Sequence, residues 1–156
     1  MRDYRGKRKD TGEWVNGYLV LPNPEICRAF EVNDAAIGSQ NSFESGYLFH
    51  EVLLETVGEC TGIFGDFTDG KHKAGDLIKR AFIYEGDIVE PVLLDGTHQG
   101  FSWGRQVVVF DRGAFCLKDR RNEITPMCNY AANVEFEVLG NIHDNPELLE
   151  VDNEFA

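Results

Sequence analysis

Residues whose types and spacing could support chemistry are few. Gly65-Asp66-Phe67-Thr68-Asp69-Gly70-Lys71-His72 has the G-x4-G-K spacing of a phosphate loop. It lacks the Ser or Thr after lysine that would hold magnesium. Asp66 and Asp69 would stand where backbone amides should meet phosphate, and no parallel β–α–β context surrounds the segment. It is read as a glycine-rich turn. A calcium loop fails on the same residues, because the spacing is wrong and no closing glutamate follows. His98 lies near Asp95 in Asp-Gly-Thr-His-Gln-Gly and offers an acid–base pair for a hydrolase. The same residues are ordinary turn chemistry, and the turn is preferred. The four histidines, His50, His72, His98 and His143, form no HxH or HExxH pattern. Cys27, Cys60, Cys116 and Cys128 form no CxxC pair and are read as reduced thiols packed as small hydrophobes. No catalytic constellation, cofactor loop or metal cluster emerges, so no enzymatic activity, no cofactor and no metal are expected.

Two segments have the composition of a binding surface. Arg5, Lys7, Arg8 and Lys9 crowd the amino terminus. They suit a nucleic-acid arm, but they also suit a solvated edge strand guarded by positive charge, and the edge strand is preferred. Residues 98–105, His-Gln-Gly-Phe-Ser-Trp-Gly-Arg, place Phe101, Trp103 and Arg105 in a glycine-rich loop. With Tyr130, these rings could stack on a ligand, although aromatics at strand positions usually belong to the core.

These residues must be positioned by strands. Arg5–Lys9 and Glu13–Val20 flank Asp10-Thr11-Gly12, which predicts a hairpin. Residues 26–32 suggest a further strand, 33–46 a polar loop, and 47–54 a buried strand or a short helix. The glycines of 61–76 predict turns, and Asp76 is placed to cap a short helix reaching Arg80. Residues 82–94 read as two apolar arms around Glu85-Gly86-Asp87. Gln106–Phe110 and the Ala-Phe-Cys-Leu-Lys run after Asp111-Arg112-Gly113 read as another hairpin. Residues 134–143 alternate apolar and polar, as a half-buried strand does. Asn145 and Pro146 predict the start of a short carboxy-terminal helix. The fold class is therefore mainly β, a small barrel or sandwich with an N-terminal β-hairpin.

The chain has 156 residues, enough for one domain with a sizeable core. A possible subdivision has an N-terminal β subdomain over 1–60, a barrel-like core over 83–143 and an acidic tail over 144–156. A hydrophobic fraction of 42% with 18 aromatic residues excludes general disorder. The net charge of −12 argues against a general grip on nucleic acid or an anionic membrane. The charge is uneven: +4 over the first nine residues, −10 over 10–70, +2 over 71–121, and −8 thereafter without one Lys or Arg. That last stretch suits either a nucleic-acid mimic or a solubilising tail. The start carries no apolar run of a signal peptide, and no run of about 18 apolar residues suggests a membrane helix. A cytoplasmic protein is expected, and exposed edges make a homo-oligomer plausible.

Three segments, in order, resemble one family. Residues 5–19, RGKRKDTGEWVNGYL, are similar to the RGK…G.W..GYL opening of the YopX family of phage and prophage proteins. Residues 55–62, ETVGECTG, resemble its ETVGQYTG, and residues 83–89, IYEGDIV, match its IYEGDIV. Residues 137–149, EVLGNIHDNPELL, resemble EVIGNIYENPELL. The family's connection between TG and IYEGD is short, whereas residues 63–82 fill it here, so an insertion is expected around Lys73–Ala81. The loop over 90–105 is expected to be particular to this chain. The resemblance implies an SH3-like barrel part and a phage or prophage origin in a bacterial host cell, with no established activity or ligand. Gly58, Gly62, Gly86 and Gly140 are expected at turns or close approaches, and Trp14, Val89 and Ile142 in the core. The functional expectation is a non-enzymatic module that binds a host or phage macromolecule. The alternative is a nucleic-acid-binding β-barrel using residues 2–9 and the 98–105 loop. An acidic decoy using the last segment and a hydrolase at His98 rank behind these.

Overall fold

The computed structural model describes residues 3–30, 46–67, 79–93 and 101–150. These residues are mainly strand and fall into two compact units, residues 1–60 and 61–156. Among the described residues, no helix is long and apolar enough to cross a membrane.

In the first unit, β1 (Tyr4–Lys7) and β2 (Trp14–Val20) form the expected hairpin, with Lys7 opposite Trp14. Gly12 takes φ +72° in the turn, a left-handed conformation that glycine adopts without a Cβ clash. β3 (Glu25–Phe30) pairs with β2, and β4 (Gly46–Glu51) pairs with β3. On the other side, β1 pairs with the first residues of β5 (Gly58–Phe67). β1 is thus an inner strand, which corrects the edge-strand expectation for the basic segment. The apolar run 47–54 is also not a buried strand. β4 ends the sheet with Tyr47 and Phe49 exposed, and Leu54–Thr56 makes a single 3₁₀ turn. Of the predicted loop over 33–46, residues 33–45 lie outside the described residues, and Gly46 opens β4.

In the second unit, β5 continues as one long strand where turns were expected. The physical reason is Gly65. A Cβ there would lie 2.7 Å from Val138 Cγ2 and 2.9 Å from Ile83 Cγ1, so this glycine permits close packing rather than a turn. β6 is Lys79–Tyr84 and pairs with β5. Its first residues, Lys79 and Arg80, are therefore strand, not the end of a helix. β7 (Asp87–Leu93) lies centrally. It pairs with β8 (Phe101–Ser102), β9 (Gln106–Asp111) and β12 (Val134–Asn141). β9 forms the expected hairpin with β10 (Ala114–Lys118), turning through Arg112 and Gly113 at φ +49° and +82°. β11 (Ile124–Pro126) pairs with β10. The order is β11-β10-β9-β7-β12-β5, with β12 and β5 parallel, and one of the protein's two sheets is a half-barrel.

The arms around Glu85-Gly86 are both strands, yet they serve different neighbours. β6 pairs with β5, whereas β7 pairs with β8, β9 and β12. The turn between them is fastened by three bonds. The Tyr84 amide donates to Oδ2 of the buried Asp87 at 2.8 Å. The Gly86 amide donates to the Val108 carbonyl, and the Ile142 amide to the Gly86 carbonyl, each at 2.9 Å. The core above it is Ile83, Val89, Val108, Leu117, Met127, Val134, Phe136 and Val138. Ile142 is exposed, and Trp14 is only half-buried, so of three expected core residues only Val89 is fully enclosed.

At the carboxy end, Pro146–Leu149 forms one 3₁₀ turn rather than an α-helix. Asn145 does not cap it through its side chain. Its Oδ1 instead accepts the Asn141 amide and packs where a Cβ on Gly140 would stand. Residues 151–156 lie outside the described residues.

Replacing Gly65 by alanine is expected to destabilise the fold by about 1–3 kcal/mol, the cost of overpacking a closed core. Gly62→Ala tests the other mechanism. That position has φ +77° but open space around a Cβ, so its loss is only the backbone penalty of about 1 kcal/mol. Urea midpoints of the two variants check the order.

Candidate functional site

The second unit holds a continuous run of aromatic rings. Phe101 and Ser102 add a two-residue strand to β7, opposite Leu93 and Val92. The Trp103 amide then donates to the Pro91 carbonyl at 3.1 Å. Ser102 Oγ donates to Glu90 Oε1 at 2.5 Å and accepts the Gly104 amide at 3.0 Å. Gly104, at φ +80°, reverses the chain into β9. A short strand and a polar clamp thereby hold two large rings at the surface, with Phe101 59% and Trp103 41% exposed.

From there the rings lead inward. Phe101 meets Trp103 edge-to-face at a centroid distance of 4.9 Å. Trp103 meets Tyr130 at 5.6 Å, and Tyr130 meets the buried Phe136 at 5.6 Å, both near perpendicular. Edge-to-face pairs at such spacing contribute about 0.5–1.5 kcal/mol each beyond burial. Tyr130 is set by the 3₁₀ turn Met127–Asn129, its amide donating to the Met127 carbonyl. Its hydroxyl points to Oε1 of the buried Gln106 at 3.5 Å, and Gln106 Nε2 reaches the Trp103 carbonyl at 3.5 Å. Burial pushes the Tyr130 phenol above its usual range, with the nearby Asp119 charge adding to it and the Gln106 contact opposing it. Tyr130 therefore stays a neutral hydroxyl at physiological pH. Trp103, Tyr130, Leu93, Val134, Thr125 and Asn129 line a cleft of about 420 Å³. Its walls are largely apolar, with a few amide and hydroxyl groups, which is the composition of a recognition site.

Of the candidate residues, Phe101 and Trp103 come together and Tyr130 joins them. Arg105 does not. Its Nη1 donates to the Leu148 carbonyl at 3.2 Å, tying the chain to the terminal 3₁₀ turn. Gln106, Leu93, Thr125 and Asn129 were not among the sequence candidates. The one signal was Gln106, a polar residue opening the apolar run Gln-Val-Val-Val-Phe. His98 and Asp95 lie outside the described residues, as does most of the Gly65–His72 segment.

The basic segment belongs to the first unit and is already engaged there. The Arg5 guanidinium lies 4.7 Å, and the Lys7 ammonium 5.5 Å, from the centre of the Trp14 ring, both within cation–π range. Arg8 grips Asp10 through Nε at 2.9 Å and Nη2 at 2.6 Å. That hydrogen bond holds the Asp10 carboxyl below its usual range. Lys9 is exposed. The four cysteines are free thiols. Cys27 and Cys116 are buried as expected, whereas Cys128 is exposed.

The two units are mainly β, and the second carries the ring-lined recess. The chain matches the model of the YopX protein family over residues 3–150 and belongs to that family. Among curated proteins, none matches it.

A pH dependence follows from His50. Burial pushes its imidazole below the usual range, and the Arg8 and Arg28 charges push it the same way. The unfolded chain then binds a proton at about pH 6.5 that the folded chain resists, so stability falls as pH drops through and below that value. His50→Gln is expected to flatten this part of a stability-versus-pH curve measured by urea unfolding, leaving only the carboxylate-driven loss at lower pH.

Proposed function

We propose that this chain is a phage- or prophage-encoded accessory protein of the bacterial cytoplasm. It acts as a binding module, not as an enzyme, and engages a host or phage protein through the Phe101–Trp103–Tyr130 cleft. The sheet of the second unit is read as its SH3-like barrel. The observation that carries the reading is the aromatic run, graded from a mostly exposed Phe101 to a buried Phe136. A ring anchored from behind and exposed in front offers contact area at small entropic cost, which is why Trp and Tyr dominate binding hot spots.

Nucleic acid is the second reading, with bases stacking on Phe101 and Trp103. Residues 61–156 carry a net charge of −8, which repels phosphate. Arg5, Lys7 and Arg8 are already placed on Trp14 or Asp10. A protein partner therefore ranks first.

Affinity capture from infected and uninfected host lysate compares the wild type with a Phe101→Ala/Trp103→Ala variant. The reading expects a discrete partner whose affinity for the variant falls roughly 30-fold or more. Equal retention by both proteins would remove the cleft from the function. Tight, steeply salt-dependent binding of single-stranded oligonucleotides would favour the second reading.

A further inference from the structure

The first unit carries an apolar surface that the cleft does not use. In an antiparallel sheet, directly opposed residues share a face. Tyr18, Cys27 and Phe49 form one such row across β2, β3 and β4. Val20 and Tyr47 lie two residues along their strands from Tyr18 and Phe49, and so share that face. Tyr47 is 66% and Phe49 57% exposed, and Tyr18 and Val20 are exposed beside them. β4 also ends the strand order, and over Gly46–His50 its outer backbone edge pairs, among the described residues, with no strand; at Glu51 the carbonyl on that edge accepts the Lys9 amide, and Arg8 bridges Val52 just beyond. Long apolar edges of this kind are usually blunted by Lys, Pro or a bulge. Gly46–Glu51 itself contains no Lys or Pro, and its pairing with β3 runs through all six residues without a bulge, so Arg8 and Lys9 guard only its carboxy-terminal end.

We propose that β4 is the interface of a twofold homodimer, formed by antiparallel addition of β4 from a second copy. The strand is self-complementary for this. With the axis at Leu48, Tyr47 faces Phe49 of the second copy on both sides of the axis, and His50 faces Gly46. Each cross-strand aromatic pair is favourable. The strand's only carboxylate, Glu51, falls beyond the paired stretch at each end, so no like charges oppose each other. The exposed face then continues unbroken into the second copy, as an isologous contact requires.

The size of the contact sets its strength. Four rings of ~150–250 Å² each, already partly covered, plus one strand backbone, bury less than the ~1,200 Å² at which standard stable interfaces begin. The dimer is therefore reversible and dissociates on dilution.

Sedimentation velocity of the full chain from roughly 5 to 500 µM, a span that brackets weak assembly, tests this. The sedimentation coefficient should rise from monomer to dimer across that range. Tyr47→Lys/Phe49→Lys should weaken assembly at least tenfold, and Phe101→Ala/Trp103→Ala should leave it unchanged, which separates this interface from the cleft. Amide exchange on the wild type gives a readout independent of any variant: exchange over 46–51 should slow as concentration rises. A monomer at the highest concentration would overturn the proposal. So would a dimer whose concentration-dependent protection falls outside β4, or one that the folded lysine variant forms as readily as the wild type.

Discussion

The turn at Glu85-Gly86 is the constraint on which the second unit depends. One glycine at φ +92° donates to β9 and accepts from the residue after β12, while Asp87 behind it receives the Tyr84 amide. Three strands that are distant in sequence are thereby locked at one corner. Burying a carboxylate is costly unless hydrogen bonds hold it, and this one sits 1% exposed under the chain reversal it stabilises. With the corner fixed, β7 reaches β12 on one side and β9 on the other, and the core from Ile83 to Val138 closes around them. The motif Ile-Tyr-Glu-Gly-Asp-Ile-Val, one of the segments that resemble the family, is thus a structural fastening.

What was legible in the sequence follows from which interactions are local. The hairpins β1–β2 and β9–β10 were readable because the turn residues Gly12, Arg112 and Gly113 sit between runs of alternating or β-branched residues. β12 was readable because Val134, Phe136 and Val138 alternate with Glu135 and Glu137. The misreadings arose where a residue answers to a distant partner. Gly65 looked like turn chemistry, yet its lack of a side chain serves Val138 and Ile83 across the sheet. Tyr47 and Phe49 looked like core because they are apolar, but only the strand order shows them at a sheet end. Asn145 looked like a helix cap, and its side chain is spent on Asn141.

The candidate site shows the same division. Phe101, Trp103 and Tyr130 were identifiable by type, as large rings near glycines. Their mutual contact was not, since it depends on β8 joining β7 and on the turn at Met127–Asn129. The basic segment was the most conspicuous surface feature of the sequence, and three of its four cations, Arg5, Lys7 and Arg8, prove to be placed on Trp14 or Asp10. Function in this protein is therefore sought on its exposed rings. Those of the cleft are held from behind by Gln106 and Phe136, whereas those of β4 stand at an open edge.

The claim that the Asp87–Gly86 corner holds the second unit together has a direct test, because each unit contains one tryptophan. In a Trp14→Phe background, the fluorescence of Trp103 reports urea unfolding of the second unit alone. Asp87→Ala leaves the buried Tyr84 amide without that acceptor, so the midpoint should fall by an equivalent of about 1–3 kcal/mol. A Trp103 transition unchanged by the substitution would contradict the account.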